Sequence, residues 1–188
     1  MRKITHYTSF IGARMKKACG ILVLLMILST HFVQAQTSAE YQVKAVFLFN
    51  FTRFVDWPSA AFESTNSPFI IGILGDDPFG NYIDETVSGE STGGHPIIIK
   101  RYKTVKDIDN CHVLYIHSVD DESIRLIIAD TKTKNVLTVS DANHFASLGG
   151  VIGFFLENNK IRMQINQEAA KSASLNISSK LLGVAKVL

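Results

Sequence analysis

Six residues stand where side-chain type and spacing could support binding: Asn50, Arg53 and Trp57 in one segment, Asp76 and Asp77 in a second, and Asp141 in a third. Asn50, Arg53 and Trp57 are spaced i, i+3 and i+7, which on a helix puts them on one face. An Arg beside a Trp can hold a carboxylate or an aromatic ring by charge and stacking. The plainer alternative pairs Arg53 with Asp56 and leaves Trp57 in the core. Asp76-Asp77, like Asp120-Asp121-Glu122, lies where a strand ends or a helix begins, so turn formation and capping account for both clusters. The loop over 75–79 and the end of the strand at Ser140-Asp141 keep a functional interest, because ligands of open parallel sheets bind beyond the carboxyl ends of strands.

Catalytic arrangements do not emerge. Gly72, Gly75 and Gly80 lack the G-x-G-x-x-G spacing that brings a backbone up to a pyrophosphate, and there is no G-x-x-x-x-G-K-[ST]. No Ser sits in G-x-S-x-G, and Ser178-Ser179-Lys180 has the wrong spacing for S-x-x-K. Ser178 reads as a helix cap. His95, His112, His117 and His144 form no H-x-x-x-H or H-E-x-x-H pair, and His112 and His117, five apart on one strand, point to opposite faces. The residues imply no cofactor and no metal; a site assembled in space, such as His117 with Asp141, stays open.

The elements that must position these residues alternate between strand and helix. Residues 39–57 predict a helix that is apolar on almost every face and is stopped by Pro58. Such a helix is covered on all sides, within its own domain or by a second subunit. Residues 69–74 predict a strand buried on both faces, then a short helix from Pro78 to Val87. Strands follow at 96–102, 111–117 and 136–139. A helix starts at Ser118, with acids in its first turn, and ends near Thr131, and Asp141 caps a short helix that stops at Gly149-Gly150. Residues 151–157 and 160–166 flank Asn158-Asn159, a two-residue hairpin signal. Helices at 167–174 and 178–187 close the chain. The expected fold is α/β: a mostly parallel sheet of about six strands, helices on both faces, and a C-terminal antiparallel hairpin.

The first 35 residues read as a cleavable export signal. Five basic side chains, from Arg2 to Lys17, precede an apolar run over 18–28, and cleavage after Ala35 fits the small residues of the c-region. The run is shorter than the roughly 20 residues a membrane span needs, although an N-terminal anchor is the alternative. Met15 opens a compact signal by itself, so replacing the Met1 codon is expected to leave export intact. The 19 basic side chains include those five, and no acid lies before residue 36, so the remaining domain, 36–188, holds 14 basic against 17 acidic side chains, a formal −3. No basic face for nucleic acid results. Cys19 leaves with the signal, and Cys111 reads as a buried strand residue with an intermolecular disulfide as the alternative.

The segments Glu40 to Ala45, Asn50-Phe51, Asp56-Trp57-Pro58, Ile71 to Gly80, Cys111 to Ile116, Val136 to Asp141, Gly149-Gly150, Ile161 to Asn166 and Ile177 to Leu182 resemble, in order and spacing, the YfiR-like family of exported bacterial proteins. The resemblance implies a periplasmic, dimeric regulator without catalysis. The best-known member holds an inner-membrane diguanylate cyclase inactive by binding that enzyme's periplasmic sensor domain, which lowers cyclic-di-GMP and biofilm formation. That member is tuned by disulfides; this chain keeps only Cys111 past the signal, so redox control through an intrachain disulfide is not carried over. Three readings follow. The first is a regulatory protein, a homodimer, docking on a membrane sensor enzyme (cyclase or kinase). The second is a periplasmic small-molecule binder. The third is an exported enzyme using Asp76, Asp77 or Asp141 as acid or base, which lacks an activated nucleophile.

Overall fold

Apolar runs that are buried on both faces make the centre of the sheet. In the computed structural model, which describes residues 39–117 and 120–188, the compact unit Glu40–Leu188 is built in the order helix α1 (39–54), β1 (Val55–Asp56), β2 (Phe69–Gly75), α2 (Tyr82–Val87), β3 (Ser91–Thr92), β4 (His95–Tyr102), β5 (Val113–His117), α3 (Asp121–Thr131), β6 (Leu137–Ser140), β7 (Ile152–Glu157), β8 (Lys160–Ile165), α4 (Gln167–Ser172), β9 (Asn176–Ile177), α5 (Ser179–Leu182) and β10 (Lys186–Val187). Eight strands among the described residues form one sheet in the order β10-β8-β7-β6-β5-β2-β4-β3, more than the six expected. β4, β2, β5, β6 and β7 run parallel. β7 and β8 make the C-terminal antiparallel hairpin, with Asn158 and Asn159 at φ 51° and 57° in its turn.

Alternation along the strands divides the core in two. Ile71, Ile73, Val113, Tyr115 and Val139 face Ala45, Leu48 and Phe51 of α1. Ile70, Leu74, Leu114 and Ile116 face Ile124, Ile127 and Ile128 of α3. Helices therefore cover both faces. A side chain at Gly72 would meet the Tyr102 ring at 2.7 Å, so glycine lets that ring lie flat on β2.

Several local expectations are corrected. α1 ends at Phe54, three residues early, because Val55-Asp56 turns into a strand that pairs with Ile177 and Asn176 of β9; tertiary pairing overrides the helical pattern up to Pro58. α1 also leaves Val43 and Val46 at 46% and 41% exposure, so the unit does not cover it on all sides. α2 starts at Tyr82 and not at Pro78, because Asp77 accepts from the Phe79 N–H at 2.7 Å and holds a turn there. The residues after Ser140 form turns instead of a helix capped by Asp141. The last helix has only four residues, with Ser178 Oγ accepting from the Leu181 N–H; residues 186–187 instead pair with Gln164 and Ile165. α3 is capped by Asp120, and the expected start at Ser118 lies outside the described residues, as does the export signal.

At the amino ends of the parallel strands, aromatic rings close the sheet. His112 is stacked between Phe62 and Phe69, with centroids 4.5 and 4.6 Å away, and His95 stacks on the far side of Phe62 at 3.9 Å. His112 Nδ1 accepts from the Ile70 N–H at 3.0 Å, and its carbonyl accepts from Trp57 Nε1–H at 3.2 Å. Burial pushes the His112 imidazole down to about 4. Cys111 is buried beside it, its thiol pushed up to about 12 by burial, so it behaves as a core residue.

Candidate functional site

The polar chemistry of the unit collects at the opposite end, where β5 and β6 finish. Three of its members come from the first turns of α1: Glu40 and Lys44, spaced i, i+4, and Tyr41 between them. The helix lies across the sheet with this end over the strands' carboxyl ends, bringing the three onto Asp141. Lys44 Nζ lies 2.6 Å from Asp141 Oδ2 and 2.6 Å from Glu40 Oε1. Tyr41 donates its hydroxyl to Asp141 Oδ2 at 3.0 Å, and His117 Nδ1 stands 3.2 Å from Oδ1. Lys44 is only 2% exposed, so its charge is tolerated because two carboxylates flank it.

Electrostatics follow from that geometry. Burial pushes the Asp141 carboxyl up, but hydrogen bonds from His117 and Lys44 together with the Lys44 charge overrule it and hold Asp141 well below the usual carboxylate range. Burial and the Asp141 charge push the Tyr41 hydroxyl well above its ordinary value. The Tyr115 hydroxyl feels the same negative charge, but it is buried and makes no hydrogen bond to the carboxylate. The lowered Asp141 carboxyl is ionised at neutral pH, and Lys44, Tyr41 and His117 take up most of its acceptor sites.

The chain reverses direction across the sheet between β2 and β5: β4 lies on one side of this pair, β6 and β7 on the other. Such a switch point is where open sheets bind ligands. Here it is roofed by Tyr41, whose ring meets Phe79 and His117 edge-on at 5.7 and 5.5 Å. The open space lies one strand further along. A groove of about 730 Å³ starts at Lys44 and Asp141 and runs beside Asn143, Phe154, Leu156 and Lys186, a size typical of ligand clefts.

Of the six residues singled out from the sequence, the structure brings only Asp141 into this site. Trp57 lies beyond the helix and so does not share a face with Asn50 and Arg53; its ring packs edge-on against Phe69 at 4.8 Å. Arg53 pairs with Glu90 at 3.0 Å, not with Asp56, and lies over the Phe49 ring. Asn50 is half-buried in the C-terminal part of α1, and Asp76 is exposed. Asp77 is tied to Arg101 Nε at 2.6 Å, and Arg101 also reaches Asp84 and the Gly80 carbonyl, which fixes the loop after β2. Tyr41, Glu40 and Lys44 were missed. Their signal was a lone lysine among Val43, Ala45, Phe47 and Leu48, four residues after a glutamate. The open pairing of His117 with Asp141 is present. Among the described residues, no three His, Cys, Asp or Glu side chains converge as a metal site would need.

Compared with known families, residues 41–186 match the YfiR/HmsC-like family. The match spans most of the chain, so the chain belongs to that family. A search of curated proteins finds no match to it.

Proposed function

We propose that this chain is an exported, non-catalytic regulator that binds the periplasmic sensor domain of an inner-membrane signalling enzyme, a diguanylate cyclase, and represses it, lowering cyclic-di-GMP and biofilm formation. The observation that carries this reading is the family match from residue 41 to 186, which takes in nearly all of the folded unit. Export is supported by the basic, apolar and small-residue sequence of the first 35 residues. The non-catalytic reading is supported by Asp141 and Asp77, two of the three carboxylates an enzyme reading would use, which are engaged by Lys44, Tyr41 and His117 and by Arg101. A homodimer is supported by the outer stripe of α1, where Val43 and Val46 face solvent.

Affinity capture on the mature chain from detergent-solubilised membranes tests the reading. The expected catch is a membrane protein with a periplasmic domain and a cyclase output, whose product formation falls when the chain is added. Retention of no such protein, or an unchanged cyclase rate in the retained complex, overturns it. Light scattering on the purified chain is expected to give twice the protomer mass, and a monomer at micromolar concentration removes the dimer from the reading.

A further inference from the structure

The β7–β8 hairpin runs past both of its neighbours. Among the described residues, β6 pairs with β7 only at Ile152 and Gly153, and β10 pairs with β8 only at Gln164 and Ile165. The hairpin turn has two residues, so Glu157 and Lys160 form the hydrogen-bonded pair next to it, and Phe155 and Gly153 repeat that role along β7. The main-chain groups of Phe154 and Leu156 therefore point away from β8, toward the line β6 would follow if it continued beyond Ser140. It does not continue, because Ser140 Oγ accepts from the Ala142 N–H at 3.0 Å and Asp141 is drawn to Lys44, which turns the chain out of the sheet. The groove described above occupies the space so vacated, and Gly153 to Leu156 form one of its walls. Unpaired strand edges take up extended chains, whose amides and carbonyls repeat at the same spacing.

We propose that the open edge of β7 in this groove binds an extended segment of a partner protein as an added strand. The segment carries an apolar side chain beside Leu156, which is 60% exposed on the α1 side of the hairpin. It carries a basic side chain at the inner end, where Glu40 and Asp141 outweigh Lys44 by one negative charge. This goes beyond the regulatory reading, since it does not depend on which protein is regulated.

Peptides selected from a random-sequence display library on the immobilised mature chain test it. Bound peptide is expected to slow hydrogen exchange of the Leu156 amide. Methylating alternate peptide nitrogens is expected to abolish binding in one register and spare it in the other, because every second amide faces β7. Leu156 lies opposite Ile161 in a pair without mutual hydrogen bonds, so Leu156→Pro removes an edge N–H and no hairpin bond. It is expected to weaken binding about tenfold or more, while Leu156→Ala stays within about threefold. Enrichment of no peptide, protection elsewhere, or loss of binding at every methylated position overturns the proposal, and these peptide readouts decide it even if Leu156→Pro fails to fold. Self-association of the chain that Leu156→Pro abolishes would also overturn it, by making a second copy the occupant.

Discussion

Residues 40–57 reach both ends of the parallel strands and hold them by opposite means. At the carboxyl ends the grip is ionic: Lys44 lies buried between Glu40 and Asp141, with Tyr41 and His117 completing the carboxylate's partners. At the amino ends it is aromatic: Trp57, Phe69, His112, Phe62 and His95 stack or meet edge-on, and the hydrogen bonds run to main chain. The ionic end borders a groove of about 730 Å³ with a strand edge that is unpaired among the described residues. The buried charge of Lys44 lies at the end with this larger groove, where water and partners can reach part of it. The amino end is held by ring stacking and by side-chain hydrogen bonds to main chain.

The largest effect is expected from breaking the ionic end. Lys44→Met leaves two carboxylates facing each other with no cation and should cost about 3–5 kcal/mol in urea unfolding. Adding Asp141→Leu should recover most of that loss, because the remaining charge is then removed. At the aromatic end, His112→Ala strips the acceptor from the Ile70 N–H and opens a gap between two rings, for about 2–4 kcal/mol.

Acid separates the two ends by pH. The folded His112 imidazole, at about 4, lies below the ordinary 6.5, so the unfolded chain binds its proton first. Its contribution, up to about 3 kcal/mol, is complete above pH 6.5 and is lost as pH falls toward 4. Asp141 is also depressed, so its contribution persists above the ordinary carboxylate range and is lost only below it. His112→Ala should flatten stability between pH 6.5 and 4, and Asp141→Asn should flatten it below pH 4. Equal flattening in both windows by either variant would mean that the two ends are not independent.

Smaller changes sharpen the contrast. Trp57→Phe keeps the ring against Phe69 and loses one hydrogen bond to the His112 carbonyl, for about 1 kcal/mol. Arg53→Ala removes an exposed pair with Glu90 and a surface contact with the Phe49 ring, and should shift stability by about 1 kcal/mol or less.

The two ends were not equally legible in the sequence. The buried strands, the Asn158-Asn159 hairpin and the Ser178 cap announce themselves through short-range patterns, and the structure has all of them. The ionic site joins residues about a hundred positions apart, and only Lys44's isolation among apolar neighbours hinted at it. Trp57 misled because Val55-Asp56 keeps helical spacing in the sequence but pairs with β9, a contact that no local pattern encodes. The same limit applies to Asp141, which looked like a helix cap and is held instead by α1.

Cellular cyclic-di-GMP, measured with and without the gene, tests the regulatory reading most directly. Deletion is predicted to raise the nucleotide several-fold. The export-competent chain should restore the low level, and a chain beginning at residue 36, which lacks the signal, should not. An unchanged or lower level on deletion would contradict repression of a cyclase.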